Sequence, residues 1–328
     1  MNSPPYKVIF DTDPGVDDAM ALYFALAHPA IEVIGVTTTF GNVTVEQAVS
    51  NALYLTAIAG VSVPVTQGIA APLTLPAPVP PAHIHGADGL GNLVERVPIQ
   101  ATLDPRSSAQ FIVDTARAQP GEITLVAVGP LGNLALALAI EPRLPQLLRE
   151  VILMGGTVLE PGNVSAVAEA NIANDPHAAA KVFAANWKLT MVGLDVTHRV
   201  ILPLALFKKI ADKQQHLATT TLHQAVSFYA DFYSSLYPHV ARIHGCFGHD
   251  VLAFLYLVQP ELFALAHGRI SVLTEGTLQG QTVLSNSYLA DAELADRRSQ
   301  CVSQVCMQVD ADACLQVFEE TLLGRWLG

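Results

Sequence analysis

Apolar runs recur along the chain at 8–10, 31–37, 123–128, 151–154 and 189–194, with stretches of helical spacing between most of them. Such runs suit strands buried on both faces, and strands alternating with helices predict an α/β fold with an open, mostly parallel twisted sheet flanked by helices. Helices are expected at 45–59, 131–140 and 178–186, the last entered through Asp175-Pro176, a capping carboxylate followed by a proline suited to the first helical turn. Helical periodicity returns at about 217–237 and again after His249, so 202–259 reads as a helical region ahead of a late strand near 269–274. The tail from Cys301 reads as a strand, an acidic helix start and a helix. Between 68 and 92 proline and glycine are too dense for an element interior, so this segment, which carries His83, His85 and Asp88, is expected to be a loop. The pattern fits a single domain over 1–328 with the helical region, at about 200–260, inside it.

Composition narrows the possibilities. With 328 residues, 51% of them apolar and only 14% charged, the chain can bury a large core. An excess of 29 acidic over 17 basic residues, net −12, argues against a nucleic-acid polymer as partner and leaves a small neutral ligand open. No apolar run precedes the first strand, and none elsewhere reaches the roughly 20 residues of a membrane span, so a cytoplasmic protein without membrane contact is expected. The low charge fraction leaves apolar surface that a homo-oligomer, a dimer or tetramer, would cover. Cys246, Cys301, Cys306 and Cys314 lack paired spacing and read as buried thiols.

The chemistry is concentrated where the first strand ends. In VIFDTDPGVDDAMAL four carboxylates, Asp11, Asp13, Asp17 and Asp18, fall between an apolar strand and a helix. Asp11 and Asp13 share a strand face, Pro14-Gly15 turns the chain, and Asp17 and Asp18 open the helix. One aspartate there could be a helix cap; four in eight residues form an oxygen-rich concavity that repels itself unless a hard cation such as calcium or magnesium neutralises it. Other polar clusters end later strands. Gly41-Asn42 follows the second, and Gly129-Pro130 turns the chain in a way that can leave the Val128 carbonyl unpaired, an ordinary calcium ligand. Past the fourth strand, Asn163, Glu169 and Asn171 lie among small residues, where they can exchange hydrogen bonds with the hydroxyls of a sugar. His249-Asp250 precedes an apolar helix, and the five-residue spacing of His239, His244 and His249 does not suit a zinc site on one helical face.

Taken together, DTDPGVDD at 11–18, Gly41-Asn42, VGPLGN at 128–133, MGG at 154–156, the N-x5-E-x-N of 163–171 and His249-Asp250 resemble the inosine-uridine preferring nucleoside hydrolases. The resemblance implies a calcium-dependent enzyme that hydrolyses the N-glycosidic bond of ribonucleosides to ribose and free base, in nucleoside salvage or catabolism. Carried over by position, Asp13, Asp18, Asp250 and the Val128 carbonyl would hold calcium, with Asp13 also the general base to a metal-held water. Asp17, Asn42 and Asn171 would hold the ribose diol, Asn163 and Glu169 would reach the 3′- and 5′-hydroxyl side, and Met154 would line the pocket. His249 and His85 would be acids toward the leaving base, with Tyr229 and His239 further candidates beside it. Attack by water from the face opposite the base implies inversion.

One departure stands out: Ala170 occupies a position where the family commonly has an aromatic residue, which removes an apolar wall and leaves base preference open. Two rivals from other classes remain. A dehalogenase-like, metal-dependent phosphatase would use Asp11 as nucleophile, but the Asn42, 163–171 and His249-Asp250 clusters would then have no assignment. A nucleoside or sugar binder without turnover would need the diol clamp alone.

Overall fold

The computed structural model describes residues 4–285 and 302–324. Seven of its strands form a parallel run: β1 (Tyr6–Thr12), β2 (Ile31–Thr38), β3 (Val65–Gln67), β4 (Asp104–Ser107), β5 (Ile123–Ala127), β6 (Glu150–Met154) and β7 (Leu189–Val192). A short antiparallel pair, β8 (Ile201–Pro203) and β9 (Gly245–Phe247), stands apart, and β10 (Phe263–Val272), β11 (Thr282–Ser285) and β12 (Ser303–Val309) close one side. The main sheet runs β11-β10-β12-β7-β6-β5-β1-β2-β3-β4, parallel except where β10 meets β12 and β11.

Alternation along β1 builds the two faces. Val8 and Phe10 enter one buried cluster with the helices Val16–Ala27, Val251–Val258 and Ala311–Leu323. Ile9 points into a second cluster with Ser108–Ala118, Gly132–Ile140 and Pro176–Ala184. A strand covered on both faces must be apolar throughout, which is why the central runs are readable from sequence. Asp175 caps the helix after it by accepting the Ala178 N–H at 2.9 Å, as its spacing predicts.

Successive crossovers lead from β1 to β2, β3 and β4 in one direction and from β5 to β6 and β7 in the other. The reversal falls between β1 and β5, and the carboxyl ends of strands at such a reversal open into a crevice. Asp13, the 39–42 turn, Val128 and Met154 all end strands there, on the neighbours β1, β2, β5 and β6. The region 202–259 contributes the helix Leu217–Leu236, which carries Tyr229 and Tyr233, together with β9 and the helix behind Asp250.

The expected loop at 68–92 contains a one-turn helix, Ala82–His85, that the proline density concealed. The expected late strand begins earlier, at Phe263, and the tail strand and helix are β12 and Ala311–Leu323. Cys246, Cys306 and Cys314 are buried free thiols; Cys301 lies outside the described residues. Among the described residues no helix is long and apolar enough to cross a membrane.

Candidate active site

The floor of the crevice is made of carboxylates. One oxygen each from Asp17, Asp18 and Asp250 lies within 4.8 Å of the others, and all three residues are buried. Asp18 is anchored: Thr12 donates its hydroxyl to Oδ1, while the Gly15 N–H and the Asn42 side-chain amide reach Oδ2 at 2.8 and 2.9 Å. It therefore caps its own helix while facing the crevice. Asp13 takes the Asn42 N–H on Oδ2 at 2.6 Å. Its other oxygen is seated so closely against the backbone that a Cβ on Gly129 would stand 2.6 Å from it, which explains a glycine after the Val128 carbonyl. Asp250 precedes a helix yet makes no capping bond.

Three floor oxygens, Asp13 Oδ1, Asp17 Oδ1 and Asp250 Oδ2, are buried with no hydrogen-bond partner. Burial first, and then the charge of neighbouring carboxylates, pushes Asp13 and Asp250 well above the usual carboxylate range; burial foremost raises Asp17 and Asp18 to about 6. Unpartnered hard oxygens that resist ionising together suit a divalent cation. The donor set fits calcium or magnesium and offers no soft ligand.

The wall is different. Tyr229 donates its hydroxyl to Asp17 Oδ2 at 3.0 Å and stands 3.3 Å from the Tyr233 hydroxyl. Tyr233 in turn lies 3.0 Å from His249 Nε2, whose other ring nitrogen is 2.8 Å from the Thr197 hydroxyl. A continuous hydrogen-bonded chain thus runs from the floor to a buried histidine. His85 comes down from the opposite side, accepting the Val16 N–H on Nδ1 at 3.3 Å, 3.8 Å from Asp17 and tilted against the Tyr229 ring. Burial lowers His249 well below the usual histidine value and His85 to about 4, so both rings are neutral near pH 7. Between floor and wall lies a cavity of about 240 Å³ whose rim carries the exposed Val79, Val164 and Leu236.

The model of the inosine-uridine preferring nucleoside hydrolase family matches residues 8–316, nearly the whole chain. The chain belongs to that family. It is 37% identical over 319 residues to the probable uridine nucleosidase 2 of Arabidopsis thaliana, covering 97% of each chain. Among solved structures it is similar to a plant nucleoside hydrolase, with a TM-score of 0.90 at 33% identity over 98% of this chain and all of the other. It is also similar to a purine-preferring ribonucleoside hydrolase from Gardnerella vaginalis, with a TM-score of 0.89 at 34% identity, 97% of this chain and 98% of the other being covered. As a nucleoside hydrolase the chain is an enzyme, and its fold is the one these structures share.

Against this background the expected residues sort unevenly. Asp17, Asn42, Val128, Met154, Asn163, Glu169, Asn171, Tyr229, His85, His249 and Asp250 all line the cavity, with Asp13 and Asp18 immediately beneath. His239 does not: it is exposed and packs edge-on against Tyr237. The Val128 carbonyl is not unpaired, as expected from the turn, but accepts the Asn171 amide at 2.7 Å, which leaves one lone pair for a ligand. Glu169 is neither solvated nor free. It caps the short helix Ala170–Asn174, taking the N–H groups of Gly156, Asn171 and Ile172, and burial raises it to about 7. Asn163 is exposed and accepts the Ala170 N–H. Asp11 is not part of the crevice: it is fully buried, one oxygen is held by Thr37 and Asn133, and it does not line the cavity where a nucleophile would meet substrate.

Two residues escaped the sequence reading. Tyr233 lies four residues from Tyr229 on the helix Leu217–Leu236 and four from Tyr237 just past its end, a spacing that reads as a core stripe. Thr197 has no motif around it, and nothing in the sequence signals its place beside His249.

Proposed function

We propose that the protein hydrolyses the N-glycosidic bond of ribonucleosides in a calcium-dependent reaction, releasing ribose and free base. The observation that carries this reading is the set of buried, unpartnered carboxylate oxygens on the crevice floor. Asp13, Asp18, Asp250 and the free lone pair of the Val128 carbonyl would hold calcium, with Asp17, Asn42 and Asn171 on the ribose diol and Asn163 and Glu169 toward the 3′ and 5′ side. A bound divalent cation would let these carboxylates ionise together and would acidify the attacking water.

The protein's own groups do the rest. Asp13 accepts the water's proton through Oδ1, the oxygen that no protein donor occupies. As the bond to the base lengthens, positive charge grows on the sugar, and the anionic floor favours that oxocarbenium-like state over the neutral substrate. The departing base takes up a proton or a hydrogen bond from the wall, where His249 and His85 are the candidates. Burial makes the imidazolium of either a strong but sparsely populated acid, so Tyr233, 3.0 Å from His249, becomes a useful relay to it.

The test is incubation of the calcium-loaded protein with inosine, uridine, cytidine, adenosine and their 2′-deoxy forms, reading free base and reducing sugar, with Asp13→Asn as control. Release from ribonucleosides that vanishes in the variant supports the proposal. Calcium-dependent binding without release from any member would favour the binder.

A further inference from the structure

We infer that Asn51, outside the cavity and in none of the motifs above, is a positioning residue that fixes the His85 loop against the acidic turn. The inference rests on the proposed function only in taking His85 as part of the reacting site.

Asn51 sits inside the helix Val45–Ile58 and is fully buried. A buried amide must find partners for two N–H groups and two lone pairs, and this one finds all of them. Its nitrogen donates to the Pro14 carbonyl at 2.8 Å and to the Asp88 carbonyl at 2.9 Å. Its oxygen accepts from Gln47 Nε2 and Arg96 Nη1, each at 2.9 Å. Pro14 lies in the turn between Asp13 and Asp17, and Asp88 lies three residues past His85. One planar group therefore spans the two segments that bring carboxylates and imidazole together.

The loop end of this bridge is itself rigid. The Asp88 carboxylate accepts the N–H groups of Leu90, Asn92 and Leu93 at 2.8–3.0 Å. Arg96 reaches both the carbonyl and the carboxylate of Asp88 at 3.2 Å, and its guanidinium lies 5.1 Å above the Tyr54 ring. Gly89 has φ +78°, and a Cβ there would stand 2.8 Å from the Asn51 nitrogen, so the loop backbone approaches the amide as closely as only glycine permits. The direct ties between His85 and the turn are a 3.3 Å bond from Val16 and the 3.8 Å approach of its Nδ1 to Asp17. The Asn51 bridge holds the loop toward the turn while the Tyr229 ring backs His85 from the helix side, and misplacement by about 1 Å can cost up to about 100-fold in rate.

Asn51→Asp tests this because it keeps the shape and the acceptor toward Arg96 and Gln47 while facing two carbonyls with an acceptor. In the calcium-loaded protein, amide exchange should speed up at 84–93 and at Val16 while the core strands β1, β5 and β6 keep their protection. Ribonucleoside turnover should fall about tenfold in kcat/KM, and in a His85→Ala background the same change should cost less than about twofold. Arg96→Gln, at a half-buried position, should shift exchange in the same segment by a smaller amount and serves if Asn51→Asp fails to fold. Exchange that speeds up equally in the core strands, or losses that multiply fully with His85→Ala, would overturn the inference and leave Asn51 a plain stability residue. A wild-type protein that releases no base from any ribonucleoside would sink the functional reading, while the exchange comparison would still decide the bridge.

Discussion

The floor and the wall of the crevice are built on opposite principles. On the floor, three buried carboxylate oxygens have no partner within the protein, and the aspartates raise one another's pKa. On the wall, Tyr229, Tyr233 and His249 are linked to one another, to Asp17 and to Thr197. The floor is incomplete without something from outside, whereas the wall is already arranged. A polar group left unmatched in a protein interior is costly, so the floor must be met by protons or by a bound ligand, whereas the wall meets its own needs. Substitutions on the floor should therefore remove activity outright, and those on the wall should grade it.

The largest effect is expected from Asp13→Asn and Asp250→Asn, each lowering kcat/KM for ribonucleosides by about 10³-fold or more, with circular dichroism unchanged. A loss under about tenfold in either would put the floor on the same footing as the wall. Next comes metal removal. Chelation should abolish turnover, and calcium should restore it.

Chelation also exposes a pH dependence of stability. Asp17 and Asp18 are raised to about 6, and Asp11 and Glu169 to about 7, burial being the leading cause for all four. Each binds its proton more tightly folded than unfolded, so its contribution to stability is full below about pH 4 and is lost as pH rises through the folded value. The Tm of the chelated protein should fall between about pH 4 and 7, and the Tm increment from calcium should grow across the same window. A chelated Tm that rises across that window would show the floor to be already satisfied.

The wall should respond more gently. Tyr233→Phe removes the hydroxyl between Tyr229 and His249 and should cost about three- to tenfold in kcat, the worth of one hydrogen bond of about 1 kcal/mol, with KM little changed. His239→Ala, on an exposed residue away from the cavity, should leave kcat/KM within about twofold. A larger loss would return His239 to the site.

The two regions also differ in how far the sequence reveals them. The floor was legible because aspartates that follow an apolar strand answer no packing need, and the parallel core because strands covered on both faces are apolar throughout. The short strands β3 and β4 were not: VTQ and DPRS have three and four residues, and Pro105 in the latter is tolerated because β4 lies at the sheet's edge. On the wall His249, His85 and Tyr229 were named, whereas Tyr233 and Thr197 were hidden for a different reason. Tyrosines at helical spacing look like packing, and what makes Tyr233 polar is His249, which comes from a distant part of the chain, and the Tyr229 hydroxyl beside it. The resemblance likewise suggested His239 beside the base and the Gly129-Pro130 turn suggested an unpaired Val128 carbonyl, because neither the packing of His239 on Tyr237 nor the reach of Asn171 is encoded nearby.

The central claim is that the floor takes a divalent cation and, through it, the ribose diol. Its most direct measurement is the rate of base release from inosine and uridine as calcium is titrated into chelated protein, alongside the 2′-deoxy forms. The account predicts saturable activation by calcium and a loss of at least about 100-fold for the deoxy sugars. Release that needs no divalent cation, or that proceeds equally well without the 2′-hydroxyl, would contradict it.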